Sequence, residues 1–301
     1  EVPFFEYNLT FPILSDMNFF NEDFYTTSKI PIGTGRFKIT DLSQNSMTLS
    51  KNENWNRAKK EQSKIETIKV SLYSSMGEVF NSFKLGNLDL INTVTQNYTD
   101  YIGTIGFNVV ESRGREFDFI ALNCADSILG DQSVRQALGY AIDKDNIVYS
   151  IYNSQYVTAY YPLDYGNYLY SNDSSSSGYN PDQAIKILED NGWEYSNNKW
   201  RKIVDGINQT LNLQLSVYEG NYARVRVAEM IKEQLEEIGI SVKINTLSLE
   251  QYQDRLADRN YQMMITGVYN SSNPDMTYFF GDGNVSNYYN EKMLSIINSG
   301  I

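Results

Sequence analysis

The 301-residue chain contains no histidine. That excludes Ser-His-Asp and Cys-His catalysis, His-ligated zinc and imidazole-based pH switching. A single cysteine, Cys124, excludes an intrachain disulfide and a multi-cysteine metal cluster. No apolar run approaches the ~18–20 residues needed to span a bilayer. Basic residues are in the minority, 25 Lys and Arg against 37 Asp and Glu, for a formal net charge of −12. A nucleic-acid backbone is bound by a basic face, so this balance argues against nucleic acid as a partner. No signal peptide is visible. The chain opens at Glu1 rather than methionine, which we read as a trimmed or processed form, so the missing leader says nothing about location.

What is present is an ordinary globular composition, 41% hydrophobic and 21% charged. A chain of this length can bury a large core in one domain or two. Aromatics are abundant, with 24 Tyr, 14 Phe and 3 Trp. Tyrosine joins a flat apolar body to a polar tip and suits surfaces that grip ligands. An AT-rich genome would produce the same surplus.

Periodicity organises the chain. Residues 1–25 are aromatic-rich, and Pro3 and Pro12 break any long helix there. The Gly33-Thr34-Gly35 cluster feeds a strand over 36–40. It lacks the Lys-Ser/Thr ending of a phosphate loop and leads into a strand, so it reads as a tight turn. A hairpin turn over 41–46 and a return strand over 47–51 follow. A strand is predicted over 65–73, and a helix over 75–85 with Gly86 at its C-terminal cap. A short buried strand is expected over 88–91. The apolar strand over 117–122 is interrupted only by Asp118.

Asp131 caps a helix carrying Val134, Ala137, Leu138 and Ala141, and Asp143 restarts it. The polar, low-complexity run at 171–178 is a loop. Asn180-Pro181 opens the next helix and Gly192 closes it. Asn197-Asn198 marks a hairpin tip. After the Asp205-Gly206 turn, Leu211, Leu213, Leu215 and Val217 alternate with polar residues. A helix over 224–238 ends at Gly239, a strand carries Ile240, Val242 and Ile244, a helix spans 249–256, and an apolar strand spans 261–268. The last stretch, 290–301, is helix-like. Alternation at this pitch predicts an α/β fold with parallel pairing. The acids Glu229, Glu233, Glu236 and Glu237 lie opposite the apolar stripe of their helix and read as a solvated face.

Several segments, in order, resemble the family 5 extracellular solute-binding proteins, the oligopeptide- and dipeptide-binding components of ABC importers. PIGTGRFKI (31–39) is similar to that family's strand entry, with Arg36 in place of the usual proline. NENWNRAKKEQSKIETIKV (52–70), FKLGNLDL (83–90) and FIALNCADSILGDQSVRQALGYAIDKDNIV (119–148) follow. So do NPDQAIKILEDNGW (180–193), the helix with EIGISVKI (237–244), and YQMMITGVYNSSNPDMTYFF (261–280). Each motif is weak alone; their order carries the resemblance, which covers most of the chain from about residue 25.

The resemblance implies an α/β, periplasmic-binding-protein-like fold (class II, two-lobed), incomplete at its N-terminal and C-terminal ends. Residues 1–118 would form part of the first lobe and 119–301 most of the second, with a crossover near 119–123. It implies a receptor that captures an extended solute by lobe closure and docks on a membrane permease, not an enzyme. It implies no cofactor or metal, a monomer, and a place at the extracellular face of the cytoplasmic membrane, lipid-anchored as in a Gram-positive lipoprotein, or in the periplasm.

Two segments would then line the cleft. Asn123, Cys124 and Ala125 stand where the family has Leu-Asn-Thr, as backbone able to pair with an extended peptide. The other is the loop from Gly267, where the family has Gly-Trp and an aspartate that holds a peptide's ammonium group. Here the tryptophan is Val268 and the acid position is Ser271, so Tyr269, Asn270 and Ser271 offer stacking and neutral hydrogen bonds. Asp275 is the nearest acid and could cap the next helix instead. The change widens the ligand class from peptides to other amides, short glycans or N-blocked peptides. Asp131, Arg135 and Asp143 match family positions and read as capping and ion-pair residues. The alternatives are an acid-pair glycan hydrolase, marked by two carboxylates about 5–10 Å apart across a cleft, and a sensory domain reusing the fold.

Overall fold

The computed structural model describes residues 30, 33–56, 63–93, 101–112, 114–152, 155–163, 167, 169–170, 178–270 and 274–299. The loop expected at 171–178 lies outside them except for Gly178. The chain divides into two compact units, one ending at Ser112 and one carrying Arg113–Ile301. The division falls a few residues before the sequence boundary at 118, because Phe117 and Asp118 belong to a strand of the larger unit. Among the described residues no helix is long and apolar enough to cross a membrane.

The smaller unit carries an antiparallel meander of β1 (Phe37–Leu42), β2 (Ser46–Lys51) and β3 (Thr67–Ser71), in that order. The first turn is tighter than expected. Ser43 bridges it, donating its N–H to the Ser46 carbonyl and accepting from the Ser46 N–H on its hydroxyl. Helix α1 (Met76–Lys84) starts where the Ser75 hydroxyl accepts from the Glu78 N–H. It ends before Gly86, whose φ of 75° favours glycine. Phe80 packs beside Tyr101, which in turn meets Phe83 and Phe107 edge-on. The strand expected over 88–91 does not form. Leu90 is exposed, and a four-residue run with three apolar positions, Leu88, Leu90 and Ile91, and no partner strand has nothing to satisfy its backbone.

The larger unit begins with β4 (Glu116–Leu122), α2 (Gln132–Ala141), α3 (Lys144–Tyr152) and α4 (Pro181–Asp190). The antiparallel strands β5 (Glu194–Ser196), β6 (Lys199–Val204) and β7 (Ile207–Thr210) follow. Their turns, Asn197-Asn198 and Asp205-Gly206, all have positive φ, as two-residue hairpin loops require. Then come β8 (Asn212–Tyr218), α5 (Tyr222–Glu237), β9 (Ser241–Leu247), α6 (Leu249–Asp258), β10 (Met263–Tyr269), α7 (Thr277–Phe280) and α8 (Glu291–Ser299).

The central sheet runs β4-β10-β8-β9. Strand β8 is parallel to β9 and β10, but β4 is antiparallel to β10. The expected parallel pairing therefore holds for three strands only. Strand alternation sorts the side chains between the two faces. Leu213, Leu215, Val217, Met263 and Ile265 join one core with Ala137, Leu188, Ile231 and Leu235 of α2, α4 and α5. Ala121, Leu247 and Met264 join a second core with Tyr252 and Leu256 of α6 and Phe279 of α7. Helices α5 and α6 thus cover opposite faces. The small sheet is tied down by Trp200, whose buried indole N–H donates to the Ile238 carbonyl at 2.8 Å.

Candidate functional site

The chain leaves the C-terminal end of β8 toward α5 on one face of the central sheet. It leaves β10 toward α7 on the other. A crevice at such a divergence, outside the carboxyl ends of parallel strands, is where α/β sheets place ligands. Three elements begin or end there with exposed side chains: Tyr222 opens α5, Leu249 opens α6, and Tyr269 closes β10. Tyr278 of α7 is exposed as well.

A charged pair underlies this edge. Asp118 sits opposite Gly267 in the β4–β10 ladder. Arg224, in the first turn of α5, donates from Nη2 to Asp118 Oδ1 at 2.6 Å and from Nε to Oδ2 at 3.3 Å. The two side chains keep 19% and 30% of their surface exposed. The pair lies directly over bare backbone: a Cβ on Gly267 would fall 2.2 Å from Asp118 Oδ1 and 2.3 Å from Arg224 Nη2. Burial opposes the charge of Arg224. Hydrogen bonding to Asp118 and its carboxylate charge prevail, and hold the guanidinium above its usual value. Tyr152 and Tyr156 stand beside the pair, their rings 4.2 Å apart. Burial first, then the charge of Asp118, pushes the Tyr152 phenol up to about 12. Arg115 lies over the ring of Tyr269 at 4.8 Å and donates to its hydroxyl at 3.4 Å.

The opposite face of the same edge is aromatic. Phe117 and Phe119 stack at 5.4 Å, and Phe279 meets both edge-on. Tyr218 packs on Tyr252, whose hydroxyl donates to Thr266 at 2.7 Å. Part of the aromatic surplus is therefore structural.

The residues expected from sequence are not gathered in one place. Met263 pairs with Leu122 and Tyr269 with Glu116. Asn123, Cys124 and Ala125 therefore lie at the far end of the ladder, about 20 Å from Val268, Tyr269 and Asn270 at strand rise. Their N–H groups are already engaged: Asn123 with the Gln262 carbonyl, Cys124 with that of Ser286, Ala125 with the Asn123 side chain. The Asn123 amide also donates to the carbonyls of Arg259 and Tyr261. The backbone N–H groups of this corner are therefore taken up within the chain. Burial pushes the Cys124 thiol up, which keeps it unreactive. Val268 is half-buried on β10 opposite Phe117. The Asn270 N–H extends the ladder to the Arg115 carbonyl at 2.8 Å. Ser271 lies outside the described residues. Asp275 accepts from the N–H of Thr277 at 2.8 Å and from its hydroxyl at 2.5 Å, so it organises the start of α7.

Asp131 caps α2 and accepts from Ser133, as expected, but its ion pair is with Lys202 at 2.8 Å. Arg135 instead donates to the carbonyls of Leu129 and Gly130. Sequence reasoning missed Arg224, Tyr152 and Tyr156. A usable signal was present: the lone acid Asp118 in an apolar strand calls for a partner.

Comparison with known proteins places this architecture. The family described as "Bacterial extracellular solute-binding proteins, family 5 Middle" matches residues 2–290. The oligopeptide-binding protein AppA of Bacillus subtilis is 24% identical over 258 residues, 84% of this chain and 46% of the relative. Heme-binding protein A of Haemophilus influenzae is 22% identical over 289 residues, 92% of this chain and 50% of the relative. The solved structure of the ABC transporter substrate-binding protein CtaP from Listeria monocytogenes superposes with a TM-score of 0.80 at 16% identity. That match covers 94% of this chain and 57% of CtaP. The chain spans about half the length of the curated relatives it matches. With the family match running almost end to end and the α/β architecture shared, the chain belongs to the family 5 bacterial extracellular solute-binding proteins.

Proposed function

We propose that the full-length protein is the solute-binding component of an ABC importer. It captures an extended, peptide-like solute by lobe closure, outside the cytoplasmic membrane, and hands it to a membrane permease. It is a monomeric receptor, not an enzyme, held at the extracellular face by a lipid anchor or free in the periplasm. The observation that carries this reading is the exposed set Tyr222, Leu249 and Tyr269 at the carboxyl ends of β8, β9 and β10. Two flat amphipathic tyrosines beside an apolar leucine at the strand ends grip a chain of varied side groups through area and weak polar contacts. The similarity to an oligopeptide-binding protein supports the same class. Asp275 is committed to α7, so the grip on the solute relies on neutral contacts more than on an ammonium clamp.

Mass spectrometry of ligand released from the full-length protein tests this. A ladder of peptides is expected. A heme, a metal chelate or a single sugar would overturn the peptide class, and measured turnover of any of them would overturn the receptor.

A further inference from the structure

Arg115 just before β4, Glu116 and Asp118 on β4, and Arg224 in the first turn of α5 lie at this end of the sheet, and their formal charges cancel. Arg115 lies over Tyr269. Arg224 turns its Nε–Nη2 edge to Asp118, and among the described residues its Nη1 meets no acceptor. The pair is partly open to solvent and packs directly over the backbone of Gly267. A ligand carboxylate brought to the free guanidinium edge would be attracted by Arg224 and repelled by Asp118 a few ångströms behind it, with Glu116 adding to the repulsion. A neutral amide meets no such cancellation. Its carbonyl oxygen accepts from the Nη1 N–H groups, and its N–H donates to a remaining lone pair of Asp118.

We infer that the Asp118–Arg224 pair is an amide-reading element, selecting the uncharged interior of a peptide-like chain over a charged terminus. The inference rests on the peptide reading above and sharpens it: the solute is recognised along its backbone, and blocked ends are tolerated.

The test uses the full-length protein and a randomised hexapeptide library in two forms, free at both ends and N-acetylated with a C-terminal amide. Retained peptides are quantified by mass spectrometry. Equal retention, within about threefold, is expected; a larger enrichment of the free form overturns the inference while leaving the peptide reading intact. Retention of neither form overturns both. Asp118→Asn unmasks the cation of Arg224 and should shift retention toward free carboxylates by roughly tenfold. Should that variant fail to fold, as judged by circular dichroism, the comparison on the unaltered protein decides alone.

Discussion

In the larger unit, Leu213, Leu215 and Val217 of β8 are at most 1% exposed, whereas β1, β2 and β3 of the smaller unit carry no buried residue at all. Both sheets have apolar alternation. The difference is cover. Strand β8 lies between α5 on one face and α6 on the other, which take Leu213, Leu215 and Val217 of one row and Ser216 of the other out of water. Among the described residues the meander has no such layers, and Val70 and Leu72 remain exposed. Amphipathic patterning predicts where a strand runs, but burial follows only where another layer removes the apolar face from solvent. The candidate site belongs to the covered sheet, whose packing fixes the strand ends that present it.

Paired substitutions can sharpen or break this contrast. The largest effect is expected from Leu215→Ala, which empties a fully buried position and should lower the unfolding free energy by about 2–5 kcal/mol. Leu49→Ala on β2, half-buried, should cost about 1 kcal/mol or less. Equal losses in a urea titration would dissolve the distinction between the units.

Glycines provide the second pair. Gly267→Ala drives a methyl into the Asp118–Arg224 contact and should cost about 1–3 kcal/mol. Gly33→Ala in the smaller unit meets nothing within 4 Å and should stay within about 0.5 kcal/mol of the unaltered protein. Thermal melting reads both. A neutral Gly267→Ala would mean that the pair can slide off β10.

The smallest effects concern ion pairs. Burial disfavours the charge of Asp131, but hydrogen bonds from Lys202 and Ser133 outweigh it and hold the carboxyl below the usual aspartate range. A lowered folded value makes its contribution fully present above the unfolded value of about 3.9, and lost as pH falls through the lowered one. Asp131→Asn should therefore cost about 1–2 kcal/mol near neutrality and little in strong acid. The counterpart in the smaller unit, Lys51–Glu66, leaves Glu66 74% exposed, and Glu66→Gln should change stability by less than about 0.5 kcal/mol. A loss from Asp131→Asn that persists undiminished at pH 2 would contradict the electrostatic account.

Local chemistry was readable wherever one residue does one job. Asp131 and Asn180 accept from backbone N–H groups at helix starts, since a short polar side chain beside an amphipathic run has few other uses. Asn197-Asn198 and Asp205-Gly206 turn hairpins because those residues tolerate positive φ. Reading failed where a partner lay far away. The direction of β4 depends on β10, and apolar strands look alike in either orientation. The Asp118–Arg224 contact joins residues 106 apart in sequence. Asn123, Cys124 and Ala125 were grouped with Val268 and Tyr269 by resemblance along the chain, and the antiparallel register sets the two segments at opposite ends of the ladder.

By itself the sequence determined the order of the elements, most of their ends and the family, because caps, turns and hydrophobic periods are short-range consequences of side-chain shape and polarity. Only the tertiary structure decided which strand ends share an edge, which acid meets which base, and which aromatic rings face water. Those outcomes depend on long-range pairing and on layers folded over a sheet, and no window of neighbouring residues contains them.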